Sequence, residues 1–186
     1  MAPDWDKRYR EGYAHRIRGP HDLLLRFAPA IPRGRVVDIA MGNGRDLIFL
    51  AEEGFWAVGI ERSGEAIRLA RAGAAWGPGL LGFVQADAAA LPLKEGSAAG
   101  IIIFYFLLRE MAEDVVRLLR KGGVLICETF LKRQNSIDRW RNPDYLLDDG
   151  ELLHLFGGLE TIFYEEGLRA EGGRARATAQ YVGRKK

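Results

Sequence analysis

The chain has 186 residues, 48% of them hydrophobic, enough to bury one substantial core and too few for a second full domain. Its 27 basic and 25 acidic residues leave a formal net charge of +2, which sets up no field demanding a nucleic acid or a membrane surface. Cys127 is the single cysteine, which excludes an internal disulfide or a multi-cysteine zinc cluster and fits a reducing compartment.

Residues 3–13 place Trp5 and Tyr9 four apart on one face of a short helix among charges, and Gly12 ends it. The charged opening Asp4-Trp5-Asp6-Lys7-Arg8 stands where a secretory signal needs an apolar core. The longest apolar run, Gly100 to Leu108, is about half the ~20 residues of a membrane-spanning helix. A cytoplasmic protein with no membrane partner is expected. A second short helix, His21 to Phe27, should turn Leu24, Leu25 and Ala28 inward and stop at Pro29 and Pro32.

The sheet begins with Arg35 to Ile39, whose Val36, Val37 and Ile39 suit a buried parallel strand. Gly42 and Gly44 then turn the chain, and Leu47, Leu50, Ala51 and Gly54 recur at helical spacing. Phe55 to Ile60 reads as the second strand, and Ser63 as the N-cap of a helix with Ala66, Ile67 and Ala70 inside. Gly77-Pro78-Gly79 marks a loop, Leu80 to Gln85 a third strand, and Ile101 to Phe106 a central strand. Met111, Val115, Leu118 and Leu119 form a helical stripe closed by Lys121-Gly122-Gly123, and Val124 to Phe130 is the fifth strand. A polar loop, a short helix near Asp149 to Phe156, and the strands Leu159 to Tyr164 and Arg174 to Val182 complete the chain.

These units predict an α/β fold, a doubly wound, mostly parallel sheet whose strand order reverses beside the first strand. Residues 1–186 make a single domain, with 1–30 a helical cover and 131–158 a polar loop and short helix over the site. In such sheets ligands bind beyond the carboxyl ends of the strands at the reversal, where the glycine turn lies.

The glycines of a dinucleotide turn stand at i, i+2 and i+5; here those positions are Gly42, Gly44 and Leu47, so a pyrophosphate lacks its third glycine. No Gly-Lys-Ser/Thr follows, which excludes a P-loop. Glu61 closes the second strand nineteen residues after Gly42, near the ~20-residue spacing at which an acid meets ribose hydroxyls. Asp87 closes the third strand one place farther out, where a base would lie. Turn, Glu61 and Asp87 thus line up for an adenosine.

The runs Val36 to Asp46, Gly59 to Ser63, Gln85-Ala86-Asp87 and Leu119 to Leu125 resemble, in order, the motifs of a class I S-adenosylmethionine-dependent methyltransferase with a seven-stranded Rossmann-like sheet and an antiparallel last strand pair. The opening Trp5 to Tyr9, the Gly-x-Gly-Arg turn and Glu128-Thr129-Phe130 resemble its small tellurite-resistance-type branch. The resemblance implies S-adenosylmethionine as cofactor, with the backbone at Ala40, Gly42 and Gly44 holding its methionine part and Asp38 beside the amino group or ordering the loop. Glu61 would take the ribose hydroxyls, Arg62 flank the adenine, and Asp87 with Ala88 meet its amine. Trp5 and Tyr9 would close over the pocket; Phe104 and Tyr105 would lie below the methyl group. The branch usually has Gly at Ala40, Cys at Met41, Asp at Glu61 and often His at Leu108, so Arg109 stands with Tyr105 as the polar candidate on the acceptor side.

Methyl transfer needs chiefly alignment and desolvation, and positioning alone can supply roughly 7–11 kcal/mol. For a harder acceptor the base candidates are Tyr105, Glu110, Glu128 and His15. Other readings of the same residues are plain: Asp87 as an Asx turn or cap, Arg109 paired with Glu113, and Arg133, Arg139 and Arg141 as a solvated loop. His15, His21 and His154 lack metal-ligand spacing and read as surface or capping residues, so no metal is expected. The absence of a target-recognition domain favours a small-molecule acceptor over nucleic acid, and a homo-oligomer stays open. The rivals are a noncatalytic S-adenosylmethionine-binding protein acting through a partner, and an NAD-dependent oxidoreductase, which Leu47 opposes.

Overall fold

A computed structural model describes residues 4–13, 19–74, 80–171 and 173–186. The segment Gly77-Pro78-Gly79 and His15 lie outside them. Seven strands form one sheet in the order β3-β2-β1-β4-β5-β7-β6: β1 (Arg35–Ile39), β2 (Trp56–Glu61), β3 (Leu80–Gln85), β4 (Ala98–Phe104), β5 (Leu119–Phe130), β6 (Glu160–Glu171) and β7 (Arg174–Arg184). The first five pair in parallel; β7 runs antiparallel between β5 and β6. The order reverses at β1, which pairs with β2 on one side and β4 on the other.

Side chains alternate across the strands, so each face collects its own core. Val37, Ile39, Ile101, Ile103, Leu125 and Cys127 pack beneath α5 (Ala112–Leu118) and α6 (Glu151–Leu155). Val36, Ile102, Val124 and Ile126 pack beneath α2 (Asp22–Phe27), α3 (Arg45–Glu52) and α4 (Gly64–Gly73). A strand covered on both faces has no solvent side, which is why β4 reads as an unbroken apolar run. Asp38 and Phe104 share the face of α2 and α3, and that parity sets what gathers around them.

The structure corrects several boundaries. In α2 it is Leu23 that is buried at 3% exposure, whereas Leu25 is 48% exposed; the helix is six residues long and starts one residue later than its apolar spacing suggests. Lys121-Gly122-Gly123 does not extend the helix of α5 but lies inside β5, where the pairing shifts from Ala98 with Leu119 to Gly100 with Val124. Gly122 takes φ +76 there, and a Cβ on Gly123 would stand 2.8 Å from the Arg120 carbonyl, so glycine permits the shift. Strand β4 starts three residues earlier than Ile101 and ends at Phe104. The last two strands reach Glu171 and Arg184 because each satisfies the other as a long hairpin, a pairing that composition does not reveal.

The short helix α1 (Trp5–Arg10) is fastened by its own acid. Asp6 accepts from the Ser63 hydroxyl at 2.6 Å and from the Glu65 N–H at 3.1 Å, so it sits on the amino end of α4. Those donors favour the ionised form and hold the Asp6 carboxyl below its ordinary range. No helix among the described residues is long and apolar enough to cross a membrane.

Candidate functional site

Beyond Ile39 the backbone takes left-handed angles at Ala40 (φ +58), Gly42 (φ +58) and Gly44 (φ +76). Glycine adopts these freely, while alanine carries about 1 kcal/mol or more of strain, so Ala40 holds a shape that a glycine would take unforced. A Cβ on Gly42 would lie 2.8 Å from the Tyr9 hydroxyl, and one on Gly44 would lie 2.9 Å from Ala70 Cβ. Both glycines are therefore required by close approach as well as by angle. Met41 drops behind the turn onto Gly59, where a side chain would collide with its sulfur.

Glu61 ends β2 and is 7% exposed. Its Oε2 accepts from the Gly42 N–H at 3.1 Å and its Oε1 from the Ser63 N–H at 2.9 Å. Each oxygen keeps a lone pair, so the carboxylate both clamps the turn and remains an acceptor. Tyr9 lies over this place at 7% exposure, and burial together with the Glu61 charge raises its phenol above its usual range. Trp5 packs 6.3 Å from Tyr9 and 5.5 Å from Tyr13, centroid to centroid.

Asp38 is 3% exposed, and its Oδ2 is buried with no hydrogen-bond partner among the described residues. Desolvation, then the charges of Asp46 and Glu61, push its pKa well above the ordinary carboxyl range, while Arg45 pulls the other way.

Around this centre the remaining candidates separate. Asp87 is exposed and its Oδ1 accepts from the Ala89 N–H at 3.0 Å, an Asx turn. Ala88 is buried, and Arg62 is exposed with its carbonyl taking the Gln85 amide. Phe104 is 9% exposed at the end of β4, and Tyr105 follows at φ +54, its N–H donating to the Glu128 carbonyl at 2.8 Å. Arg109 pairs with Glu151, not with Glu113. Its guanidinium donates to the Glu151 carboxylate at 2.5 and 3.0 Å and to the carbonyls of Asp144 and Leu146 at 2.6 and 2.9 Å.

One more expectation changes in part. His21 stands at the N-cap position of α2, with no side-chain cap bond, but it is not at the surface: it is 7% exposed, its ring stacked 4.0 Å from Phe104 and bonded to Asp46. Its only sequence signal was position, one residue before a helix, which reveals nothing of the α3 carboxylate waiting across the turn. The loop arginines keep the solvated reading: Arg133 and Arg139 are exposed, with Arg133 3.3 Å from Asp149, and the half-buried Arg141 pairs with the exposed Asp138. Among the described residues no group of three or more His, Cys, Asp or Glu could hold a metal ion.

Known proteins resemble this chain in part of its sequence and in its fold. Residues 36–123, from β1 into β5, match the family described as a methyltransferase domain. No curated protein matches the chain. A solved S-adenosylmethionine-dependent methyltransferase of Methanosarcina mazei is 18% identical with a TM-score of 0.72, covering 90% of this chain and 99% of its own. TehB of Haemophilus influenzae is 15% identical with a TM-score of 0.76, covering 97% of this chain and 66% of its own. The magnesium protoporphyrin IX methyltransferase ChlM of Synechocystis, solved with bound S-adenosylhomocysteine, is 18% identical with a TM-score of 0.70, covering 100% of this chain and 89% of its own. Likeness at such identity shows the fold. Residues 36–123 thus match a methyltransferase domain in sequence, and the chain shares the doubly wound fold of these structures.

Proposed function

We propose that the protein transfers a methyl group from S-adenosylmethionine to a small-molecule acceptor. The domain match and the shared fold indicate that cofactor, and the observation that carries the reading is the orphaned, buried Asp38 beside the left-handed turn. An ammonium group is what such an acid lacks, and an aminoacyl-adenosine brings one on the same molecule as a ribose diol.

In this reading Asp38 receives the ammonium, and the backbone of Ala40, Gly42 and Gly44 lies against the methionine part. Glu61, held in place by the N–H groups of Gly42 and Ser63, offers its remaining lone pairs to two adjacent hydroxyls. Asp87, exposed just past the end of β3, meets the adenine amine with the buried Ala88 beside it and Arg62 at the flank. Trp5 and Tyr9 close over the nucleoside, and the Asp6 bonds to α4 keep that cover in register. Phe104 and Tyr105 form the floor toward the acceptor. The bonded Arg109 acts as a strap that positions 144–151, a wall of the acceptor side, rather than as a group that meets the acceptor. The tellurite-resistance-type branch is the subgroup whose opening and turn this chain most resembles, and a cytoplasmic location accords with its one buried thiol.

The cofactor supplies an electrophilic methyl on sulfonium. The chain's own residues align it and keep water out, and apolar Phe104 with the aromatic cover does both. The test is calorimetry with S-adenosylhomocysteine, followed by transfer of labelled methyl from S-adenosylmethionine to a panel of small thiols, amines, phenols and carboxylates. Micromolar binding with label transferred supports the reading; failure of S-adenosylhomocysteine to bind overturns it. Binding without transfer to any acceptor leaves a noncatalytic binding protein.

A further inference from the structure

His21 enters α2 with extended backbone, φ −65 and ψ 139, and two bonds lock it to Asp46. Its backbone N–H donates to Oδ1 at 2.8 Å, and its ring Nδ1 meets Oδ2 at 2.7 Å. A carboxylate only accepts, so Nδ1 carries the hydrogen and Nε2 keeps its lone pair. The other contact agrees: the Arg45 guanidinium, a pure donor, sits on Nε2, and its Nε lies 3.5 Å from Asp46. The ring is stacked on Phe104 at 4.0 Å with planes 10° apart, and lies 5.3 Å from the Tyr105 ring. An imidazole oriented by a carboxylate through one nitrogen, with the other nitrogen basic and beside the reacting floor, is the arrangement of a general base.

We propose that His21 Nε2 receives the proton shed by the methyl acceptor, that Asp46 orients it, and that Arg45 caps this nitrogen until the carboxylate of the cofactor's amino-acid part draws the guanidinium away. The proposal rests on the methyltransferase reading. The acceptor class is one that sheds a proton as it is methylated, a hydroxyl or a neutral amine. Its lone pair bonds to the methyl carbon, the carbon–sulfur pair returns to sulfur as the thioether, and the acceptor's proton passes to Nε2, leaving an imidazolium against the Asp46 carboxylate. Among the described residues, the charged or titratable groups around the ring are Asp46 and Arg45 of α3, Asp38 of β1 behind Asp46, Tyr105 at the tip of β4, and Asp22 next in the chain.

The test is nitrogen-15 histidine NMR on the full chain, free and saturated with S-adenosylhomocysteine, with H21Q to assign the resonance and thermal unfolding to confirm that H21Q folds. The expected free protein shows a protonated Nδ1 and a hydrogen-bonded Nε2; S-adenosylhomocysteine shifts Nε2 toward an unbonded lone pair, and D46N loses the single tautomer. H21Q keeps S-adenosylhomocysteine affinity within about threefold, and lowers kcat for hydroxyl or amine acceptors by roughly 10²–10⁴-fold. The proposal falls if bound S-adenosylhomocysteine leaves Nε2 unmoved, or if H21Q weakens its binding more than about tenfold, which would make the ring part of the cofactor cradle. It also falls if H21Q transfers methyl at the wild-type rate. Loss of S-adenosylhomocysteine binding by the wild-type chain sinks the methyltransferase reading itself, a different result from binding with an unmoved ring.

Discussion

Gly42 and Glu61, nineteen residues apart, are joined by a 3.1 Å bond from the glycine N–H to the carboxylate that ends the neighbouring strand. The parallel register of β1 and β2, in which Ile39 faces Ile60, brings turn and acid to the same tip. The acid therefore has two tasks: it satisfies backbone donors of the turn and of the start of α4, and it faces the crevice at the reversal.

Glu61→Ala should lose most affinity for S-adenosylhomocysteine while the sheet persists. Hydrogen bonds to a charged group contribute about 1.5–3 kcal/mol, so calorimetry should read a loss of roughly 10–100-fold. Trp5→Ala should weaken binding less, since Trp5 touches the site through Tyr9. A larger loss in Trp5→Ala would place α1 inside the cradle rather than over it.

Asp38 titrates against the fold. Its folded pKa is raised, so as pH climbs above the ordinary carboxyl range the unfolded chain ionises first and the folded state is penalised. Stability of the free protein should fall with rising pH until the folded group also ionises. Asp38→Asn should remove that slope in denaturant unfolding across pH 4 to 8, and should also lower S-adenosylhomocysteine affinity because the ammonium loses its partner. An unchanged slope would mean that the charge is compensated in the free protein.

Arg109→Ala removes four donated bonds to Glu151, Asp144 and Leu146. Hydrogen exchange should quicken across 143–151, with a stability loss of about 1–3 kcal/mol. Arg109→Lys should rescue this only in part, because an ammonium cannot reproduce the planar fork. If exchange is unaltered and only transfer falls, Arg109 meets the acceptor.

Cys127 is 2% exposed in β5, and burial pushes its thiol up to about 12. It should resist iodoacetamide in the native protein at pH 8 and react at the rate of global unfolding, since thiolate and access are both withheld. Rapid native labelling would reveal local opening of the central sheet.

Much of this architecture was readable in the residues. The β-branched run at 35–39, the glycines at 42 and 44 and the acid at 61 act within a few positions of themselves, or at a spacing that one strand, one helix and one strand dictate. Left-handed angles at Gly42 and Gly44 are a local demand of the backbone, and local demands are written locally. The long hairpin of β6 and β7 was half seen, because hairpin length follows from mutual pairing rather than from apolar alternation.

The sequence by itself determined the doubly wound sheet, the turn and the acid at its neighbour's tip, since periodicity and glycine placement fix short-range conformation. Only the tertiary structure decided that His21 is a buried ring on Phe104 held by Asp46, that Arg109 fastens to Glu151, and that Asp38 Oδ2 is buried with no hydrogen-bond partner among the described residues. Those contacts join residues 25 to 83 positions apart through side chains rather than backbone period. Their energies depend on burial and on charges supplied by other elements, which no single stretch of chain contains.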